Sequence, residues 1–211
     1  MKHLLIGTAM ALLPVAAFGE GTTYVGGAAI YIHPDVSDGY ATLEAYVEHE
    51  TASGFYAGLW IGTLGPDDAP DDTELDVYFG YRTSFGQVDV DASYTRYYYD
   101  DSGDCCGELI LSAETTIGDV WTLGVDLSSD LEGADYVELQ SAYTITDMFE
   151  VSGNYTTYSD EGGTEYDFGL TAYLDDTTSV DLRYYDNDFG EEPTLELKLA
   201  WDTDLDALSG S

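Results

Sequence analysis

Positive charge is scarce in this sequence: its 211 residues include five Lys and Arg against 42 Asp and Glu, a formal net charge of −37 at pH 7. Because nucleic-acid binding needs a basic surface, this balance excludes nucleic acid as a partner. The sequence after residue 20 also lacks any apolar run of the about 17–25 residues that a transmembrane helix needs. If the chain enters a membrane, it does so as a closed β-barrel, which satisfies its own backbone hydrogen bonds.

Cysteine is nearly absent too, since Cys105 and Cys106 are the only two. Adjacent cysteines fit neither a disulfide framework nor a spaced zinc site. Two interpretations stay open: a vicinal disulfide that stiffens one loop, or two loop thiols without a role.

Motifs for catalysis or cofactor binding are also missing. His33 falls in a loop, and His49 ends a strand with no Ser or water site indicated beside it. There is no phosphate-binding glycine loop and no haem motif, and no acidic run has the spacing of a calcium-binding loop. The sequence therefore predicts a protein that is not an enzyme and that holds neither cofactor nor metal.

The N-terminus has the features of an export signal. Lys2 and His3 precede a short apolar run, and Ala17 and Gly19 suit the −3 and −1 positions of a cleavage site. This pattern predicts a Sec signal peptide at residues 1–19 and a single exported domain at residues 20–211. High acidity can indicate disorder, but 14% aromatic residues, with 19 Tyr, favour a folded domain.

The segment from Gln87 to Asp101 shows the pattern on which the rest of the chain is built. Even-numbered residues from Val88 to Tyr98 are apolar or aromatic apart from Arg96, and the odd-numbered ones are acidic, hydroxylic or Tyr. Alternation with period two indicates a β-strand with one apolar and one polar face. The same pattern recurs in twelve segments. They lie at residues 23–31, 41–48, 55–62, 74–82, 88–98, 108–117, 121–128, 137–145, 149–156, 165–174, 180–185 and 194–201.

The connections alternate between short turns and longer acidic loops, as in an antiparallel meander with turns on one rim and loops on the other. An even number of strands puts both termini on the turn rim, which is typical of bacterial outer-membrane barrels. The predicted fold is an all-β, antiparallel, up-and-down transmembrane β-barrel of about 12 strands. An acidic C-terminal tail follows Trp201.

Alternation alone does not say which face points outward, since a soluble β-sandwich turns its apolar face inward. Three features favour an apolar face in contact with lipid. The apolar positions of predicted strands two to twelve hold no Asp, Glu or Lys, and aromatic residues cluster at both strand ends. Soluble sheets commonly protect their edges with Lys, whereas this chain has a single Lys after residue 20, so closure into a barrel would remove the edges instead. Residues predicted at the lipid interface are Tyr81, Arg96, Tyr98, Trp121, Phe149, Tyr184 and Trp201. For Arg96, snorkelling to the interface and a contact with lipopolysaccharide phosphate stay open.

With this orientation the polar face lines the interior of the barrel. A ring of carboxylates favours cations in a pore, and the alternative is an interior plugged by Tyr, Gln and ion pairs. The predicted pore-lining residues are Glu74, Asp76, Arg82, Asp89, Asp91, Glu114, Asp126, Glu138, Asp181, Arg183, Glu196 and Lys198.

Two segments, GFYAGLWIGTLG (54–65) and ELDVYFGYRTSFGQVDVDASYTRYYY (74–99), resemble the TorF family of porins. The shared pattern is a Gly-Phe-Tyr-Ala-Gly hairpin, an acidic and aromatic strand that ends in a Gly-Tyr pair, and a Tyr-rich strand. The resemblance implies an outer-membrane barrel of porin type and assigns neither catalytic residues nor a substrate. One departure concerns the outer-membrane assembly machinery, because such barrels usually end on an aromatic residue and this chain continues as DTDLDALSGS.

The sequence thus predicts a porin-like channel in the outer membrane of a Gram-negative bacterium, through which small solutes, preferentially cations, diffuse passively. Its expected partners are outer-membrane lipids, lipopolysaccharide, these solutes and the assembly machinery. The alternative is a secreted or surface-anchored β-protein with a structural or adhesive role and no conducting pore.

Overall fold

The fold is an antiparallel β-barrel, described by a computed structural model over residues 20–35, 38–131, 135–159 and 163–205. Twelve strands follow each other around the barrel in chain order, and the pairing of the first with the last closes it. They are β1 (Gly21–Pro34), β2 (Tyr40–Thr51), β3 (Phe55–Thr63), β4 (Thr73–Phe85), β5 (Val88–Tyr99), β6 (Gly103–Ile117), β7 (Trp121–Asp130), β8 (Asp135–Thr146), β9 (Phe149–Tyr158), β10 (Thr164–Tyr173), β11 (Thr178–Asn187) and β12 (Thr194–Asp204). The predicted up-and-down barrel is confirmed. The predicted signal peptide lies outside the described residues.

The connections at one rim of the barrel, the turn rim, have two to four residues, and those at the other, the loop rim, have three to nine. The long loop predicted between β5 and β6 is reduced to residues 100–102, because β6 begins at Gly103. On the turn rim, Gly54, Gly86 and Gly118 have φ of 91°, 71° and 63°, a left-handed conformation that glycine adopts without steric cost. On the loop rim a short 3₁₀ helix, Pro66–Asp68, lies between β3 and β4. Within the described ranges, no helix is long and apolar enough to cross a membrane.

The two faces of the sheet differ as the alternation predicts. Leu43 on the outer face is 61% exposed and Phe168 is 59% exposed, whereas Glu48 on the inner face is 8% exposed and Thr156 is 3% exposed. Tyr56 is the one large hydrophobic residue that is buried in the described part of the chain. The interior is therefore polar, and the apolar face points outward.

The start of β6 differs from the prediction. Cys105 and Cys106 lie within a strand and not in a loop, because β6 begins at Gly103. They are joined by a disulfide. The register shifts between Arg96 and Tyr98 of β5, so both cysteines oppose the single residue that lies between these two. Two residues facing one is a β-bulge, and it interrupts the period-two pattern from which the strand was predicted.

The end of β12 also lies beyond its prediction. The strand continues to Asp204, which pairs with Tyr24 of β1, so the predicted acidic tail begins no earlier than residue 205. Asp202 and Asp204 alternate with Trp201 and Thr203, and this keeps the acidic residues on the inner face. The alternation of β12 therefore continues beyond Trp201 to Asp204. Residues 206–211 lie outside the described part.

Candidate channel interior

Strand register places all twelve of the predicted pore-lining residues on the inner face. Residues that pair across neighbouring strands share a face, and the register pairs Asp181 with Lys198 and Arg183 with Glu196. The remaining members follow from the other strand pairs in the same way. The inner face thus combines many carboxylates with three basic side chains.

Arg82, near the turn-rim end of β4, is at the centre of the largest ion-pair cluster. Its Nη1 is 2.5 Å from Glu48 Oε1 and 3.1 Å from Glu50 Oε2, and its Nε donates to Asp91 Oδ2 at 2.8 Å. Its guanidinium carbon lies 3.8 Å from the centre of the Tyr56 ring, and the Tyr56 hydroxyl donates to Asp91 Oδ1 at 2.7 Å. Three carboxylates and one aromatic face therefore surround one guanidinium group.

The other two inner cations are paired as well. Arg183 contacts Asp167 through Nη1, and its Nε lies 3.1 Å from Asp181 Oδ1. Lys198 Nζ is 2.5 Å from Glu44 Oε1. Because each basic group has its own carboxylate partner, the rest of the inner face is left with an excess of negative charge.

Part of that excess lies toward the loop rim, where acidic side chains are bonded to hydroxyl groups. Tyr97 and Ser128 donate to Glu108, and the Tyr99 hydroxyl donates to Glu74 Oε1 at 3.0 Å. Among the described residues, no group of three or more His, Cys, Asp or Glu side chains is arranged to hold a metal ion.

Glycines on the inner face make room for aromatic rings on neighbouring strands. Gly58 pairs with Tyr78, and Gly80 pairs with Tyr56. A Cβ atom added to either glycine would clash with the ring of its partner, so each ring covers the glycine backbone opposite it. The rings therefore lie along the wall instead of across the interior.

Space and water access remain inside the barrel. A cavity of about 600 Å³ has walls that include Tyr46, Glu48, Glu50, Trp60, Tyr78 and Arg82. The side chains of Arg82 and Lys198 are 40% and 37% exposed although both lie on the inner face. In the described part of the chain no side chain is fully buried, so the interior is not packed as a dry core.

On the outer face five of the six predicted interface aromatics are exposed, as for Tyr98 at 37% and Trp121 at 47%, and Tyr184 is half-buried. Arg96 Nε donates to Asp104 Oδ1 at 2.6 Å, and the hydroxyl of Tyr184 donates to Asp186 at 3.1 Å. The expectation that the outer positions exclude acidic residues is therefore wrong at the loop-rim ends of the strands. The predicted strands stopped short of these two aspartates.

Acidic residues of the loop rim also hold loops together. Asp71, 8% exposed, accepts hydrogen bonds from the hydroxyl and backbone N–H of Ser102, at 2.6 and 2.7 Å, and from the N–H of Asp101 at 3.0 Å. These bonds, the Ser102 hydroxyl first, lower the pKa of Asp71. Asp100 in turn accepts from the N–H of Thr73 at 3.0 Å. Sequence reasoning treated these acids as generic loop charge.

Known proteins that share this fold are found among solved structures and not among sequences. No protein-family model matches the chain, and no curated protein matches it. A solved KdgM porin, in complex with disordered oligogalacturonate, superposes with a TM-score of 0.69 at 8% identity over 83% of this chain and 98% of that one. A NanC porin gives a TM-score of 0.57 at 12% identity over 85% and 98%. At these identities the likeness shows a common barrel fold, and the TorF family is not confirmed.

Proposed function

We propose that this barrel is a porin-like channel of the outer membrane that lets small solutes diffuse passively and prefers cations. The observation that supports it most is an inner face that is acidic and open to water, with each of its three bases paired to carboxylates. Fixed carboxylates lower the potential in a narrow pore, which raises the local concentration of cations. No catalytic step is part of this proposal.

The outer face supports a membrane location. Large apolar side chains such as Leu43, Phe79 and Leu139, at 61%, 57% and 54% exposure, point away from the barrel. Exposing this apolar surface to water would cost free energy, whereas the hydrocarbon core of a bilayer would cover it. We therefore place the barrel in a Gram-negative outer membrane, among its lipids and lipopolysaccharide, delivered by a Sec signal peptide and the outer-membrane assembly machinery. Membership of the TorF family belongs to the same proposal.

The acidic interior also bears on the charge of the solutes, for which a porin of similar fold offers a comparison. The KdgM porin was solved with oligogalacturonate, a chain of sugar acids. Carboxylates of a polyanion would meet an inner face that is itself acidic, and like charges in a confined pore repel. We therefore propose cationic and neutral small molecules as solutes and expect oligogalacturonate to be excluded.

Recordings from purified protein in planar bilayers test the channel. We expect discrete conductance steps and, under a KCl gradient, a reversal potential displaced toward that of K⁺. The displacement should shrink near 1 M salt, where the Debye length is only about 3 Å. Steps that favour Cl⁻ would contradict the cation preference. The absence of steps would favour a structural or adhesive protein whose interior is closed by its own ion pairs and Tyr side chains.

Gly80→Ala should lower the conductance of the channel. The added Cβ would displace the Tyr56 ring from the wall and break its hydrogen bond with Asp91, at a cost of about 1–3 kcal/mol for overpacking. Gly107→Ala is the matched control, because its Cβ would clash with the Tyr94 ring on the outer face. Conductance in planar bilayers measures the effect. Equal conductance of the two variants would show that the Tyr56 ring does not limit the pore.

A further inference from the structure

The cavity of about 600 Å³ inside the barrel has a composition suited to one class of solute. Its walls include the aromatic rings of Tyr46, Trp60 and Tyr78 and the carboxylates of Glu48 and Glu50. Aromatic faces attract cations through the negative potential of their π-systems, and carboxylates add direct charge attraction. The combination is suited to an organic cation, which has both a charge and an apolar surface.

The rings in this cavity are held in place. Tyr46 covers Gly26, Tyr78 covers Gly58, and a Cβ added to Gly62 would clash with the Trp60 ring. Because each ring rests against backbone where a glycine leaves room, its free face is turned to the interior. A wall of fixed rings loses little conformational entropy when a ligand binds.

The barrel already contains an example of such a contact. The guanidinium of Arg82 lies over the Tyr56 ring and against Glu48, Glu50 and Asp91. These three carboxylates face a single positive charge, so the cluster keeps a formal net charge of −2. Arg82 thus shows that this wall binds a guanidinium group, and the cluster stays negatively charged when it does.

Glu50 is the carboxylate best placed for a second cation. Its side chain is 30% exposed, against 10% for Glu48, and its contact with Arg82 is a single one at 3.1 Å. Glu48, in contrast, uses both oxygens on Arg82. Glu50 therefore keeps acceptor capacity toward the cavity.

We propose that this cavity is a binding site within the channel for small organic cations of the guanidinium or alkylammonium class. The inference rests on the proposed channel function and adds to it the class of solute that is bound during passage. A general excess of carboxylates would attract K⁺ equally well, whereas the aromatic walls favour cations with apolar or planar surfaces.

Methylguanidinium and methylurea are the probes that separate charge from shape, since the two are nearly isosteric and only the first is charged. Trp60 is the reporter, because the other two tryptophans, Trp121 and Trp201, lie on the outer face and can be replaced by Phe. In detergent, at constant ionic strength, we expect methylguanidinium to change Trp60 fluorescence saturably and methylurea to leave it unchanged. An equal response to both probes, or no saturable response, would overturn the site.

Glu50→Gln should raise the Kd for methylguanidinium by about three- to tenfold, because one carboxylate of the cavity is lost. Glu150→Gln is the matched control: Glu150 lies next to the turn rim like Glu50, but on β9, across the barrel from β2 and β3. It should bind methylguanidinium as the unmodified chain does. Equal changes in the two variants would show that only the overall charge matters and would overturn the site. Heat-shifted migration on a gel confirms that each variant is folded.

The binding assay and the bilayer recording fail independently. A barrel that conducts but does not bind methylguanidinium would overturn the site and leave the channel in place. A barrel that binds methylguanidinium and gives no conductance steps would support the site and overturn the channel.

Discussion

Arg183→Gln is expected to lower the free energy of unfolding by about 3–5 kcal/mol, the range for removing one partner of a buried ion pair. The side chain of Arg183 is 15% exposed, and those of Asp167 and Asp181 are 8% and 16% exposed. The guanidinium also donates to Ser152 Oγ at 2.6 Å. Gln is shorter than Arg and uncharged, so two poorly hydrated carboxylates would lose their cation. Urea unfolding of the folded barrel in detergent, followed by heat-shifted gel migration, measures the loss.

Arg96→Gln is the matched control for this variant. Arg96 pairs with Asp104 on the outer face, where Asp104 is 53% exposed, and an exposed pair contributes about 0–1 kcal/mol. The double variant Arg183→Gln/Asp167→Asn should recover part of the stability, because it removes one of the two carboxylates left without a cation. If Arg183→Gln cost no more than Arg96→Gln, the inner ion pairs would be as well hydrated as surface pairs. The interior near β11 would then be wide and filled with water.

The sequence predicted the face on which Arg183 lies but not its partners, and the reason is physical. Alternation is a local property of one strand, so the side of the sheet can be read from a few consecutive residues. Ion pairs between neighbouring strands depend on register, which is set by turn lengths and bulges outside the local pattern. Asp167 is on β10, where Gly169 and not Asp167 pairs directly with Arg183. The contact therefore runs diagonally, and strand spacing in the sequence does not show it.

The glycines of the inner face illustrate the same limit. Gly58 and Gly80 interrupt the polar face of their strands and carry no side-chain chemistry of their own. Only the pairing of β3 with β4 shows that they face the rings of Tyr78 and Tyr56. A single sequence reveals that rings are present on the inner face, whereas their direction along the wall requires the neighbouring strand.

Strand ends were predicted least well because the alternation of apolar and polar residues changes there. The bulge at Cys105 and Cys106 shifts the alternation by one residue, and this concealed Asp104 as an outer-face partner of Arg96. At β12, closely spaced aspartates resembled a solvated tail, although Asp202 and Asp204 both continue the inner face. Acidic residues do not mark the end of a strand when the inner face is itself acidic.

Arg introduced at two consecutive positions of β6 tests the direction of the alternation, on which the proposed function depends. Leu111, near the middle of the strand, is 47% exposed on the outer face and pairs with Ala92 and Leu127. In a bilayer we expect Leu111→Arg to cost about 2–4 kcal/mol, the penalty for an Arg on the lipid face at the midplane. Unfolding of the barrel in lipid vesicles measures it.

Ser112→Arg places the same side chain one residue further along, on the inner face, where Ser112 pairs with Asp91 and Asp126. Two neighbouring carboxylates can receive the guanidinium, so folding should be affected little. The reversal potential should instead move toward that of Cl⁻, because a positive charge is added to the acidic wall. The two variants thus separate a lipid-facing from a solute-facing position with a single added charge. Equal losses of stability at both positions would mean that lipid does not cover the outer face, and the membrane channel would have to be abandoned together with the solutes assigned to it.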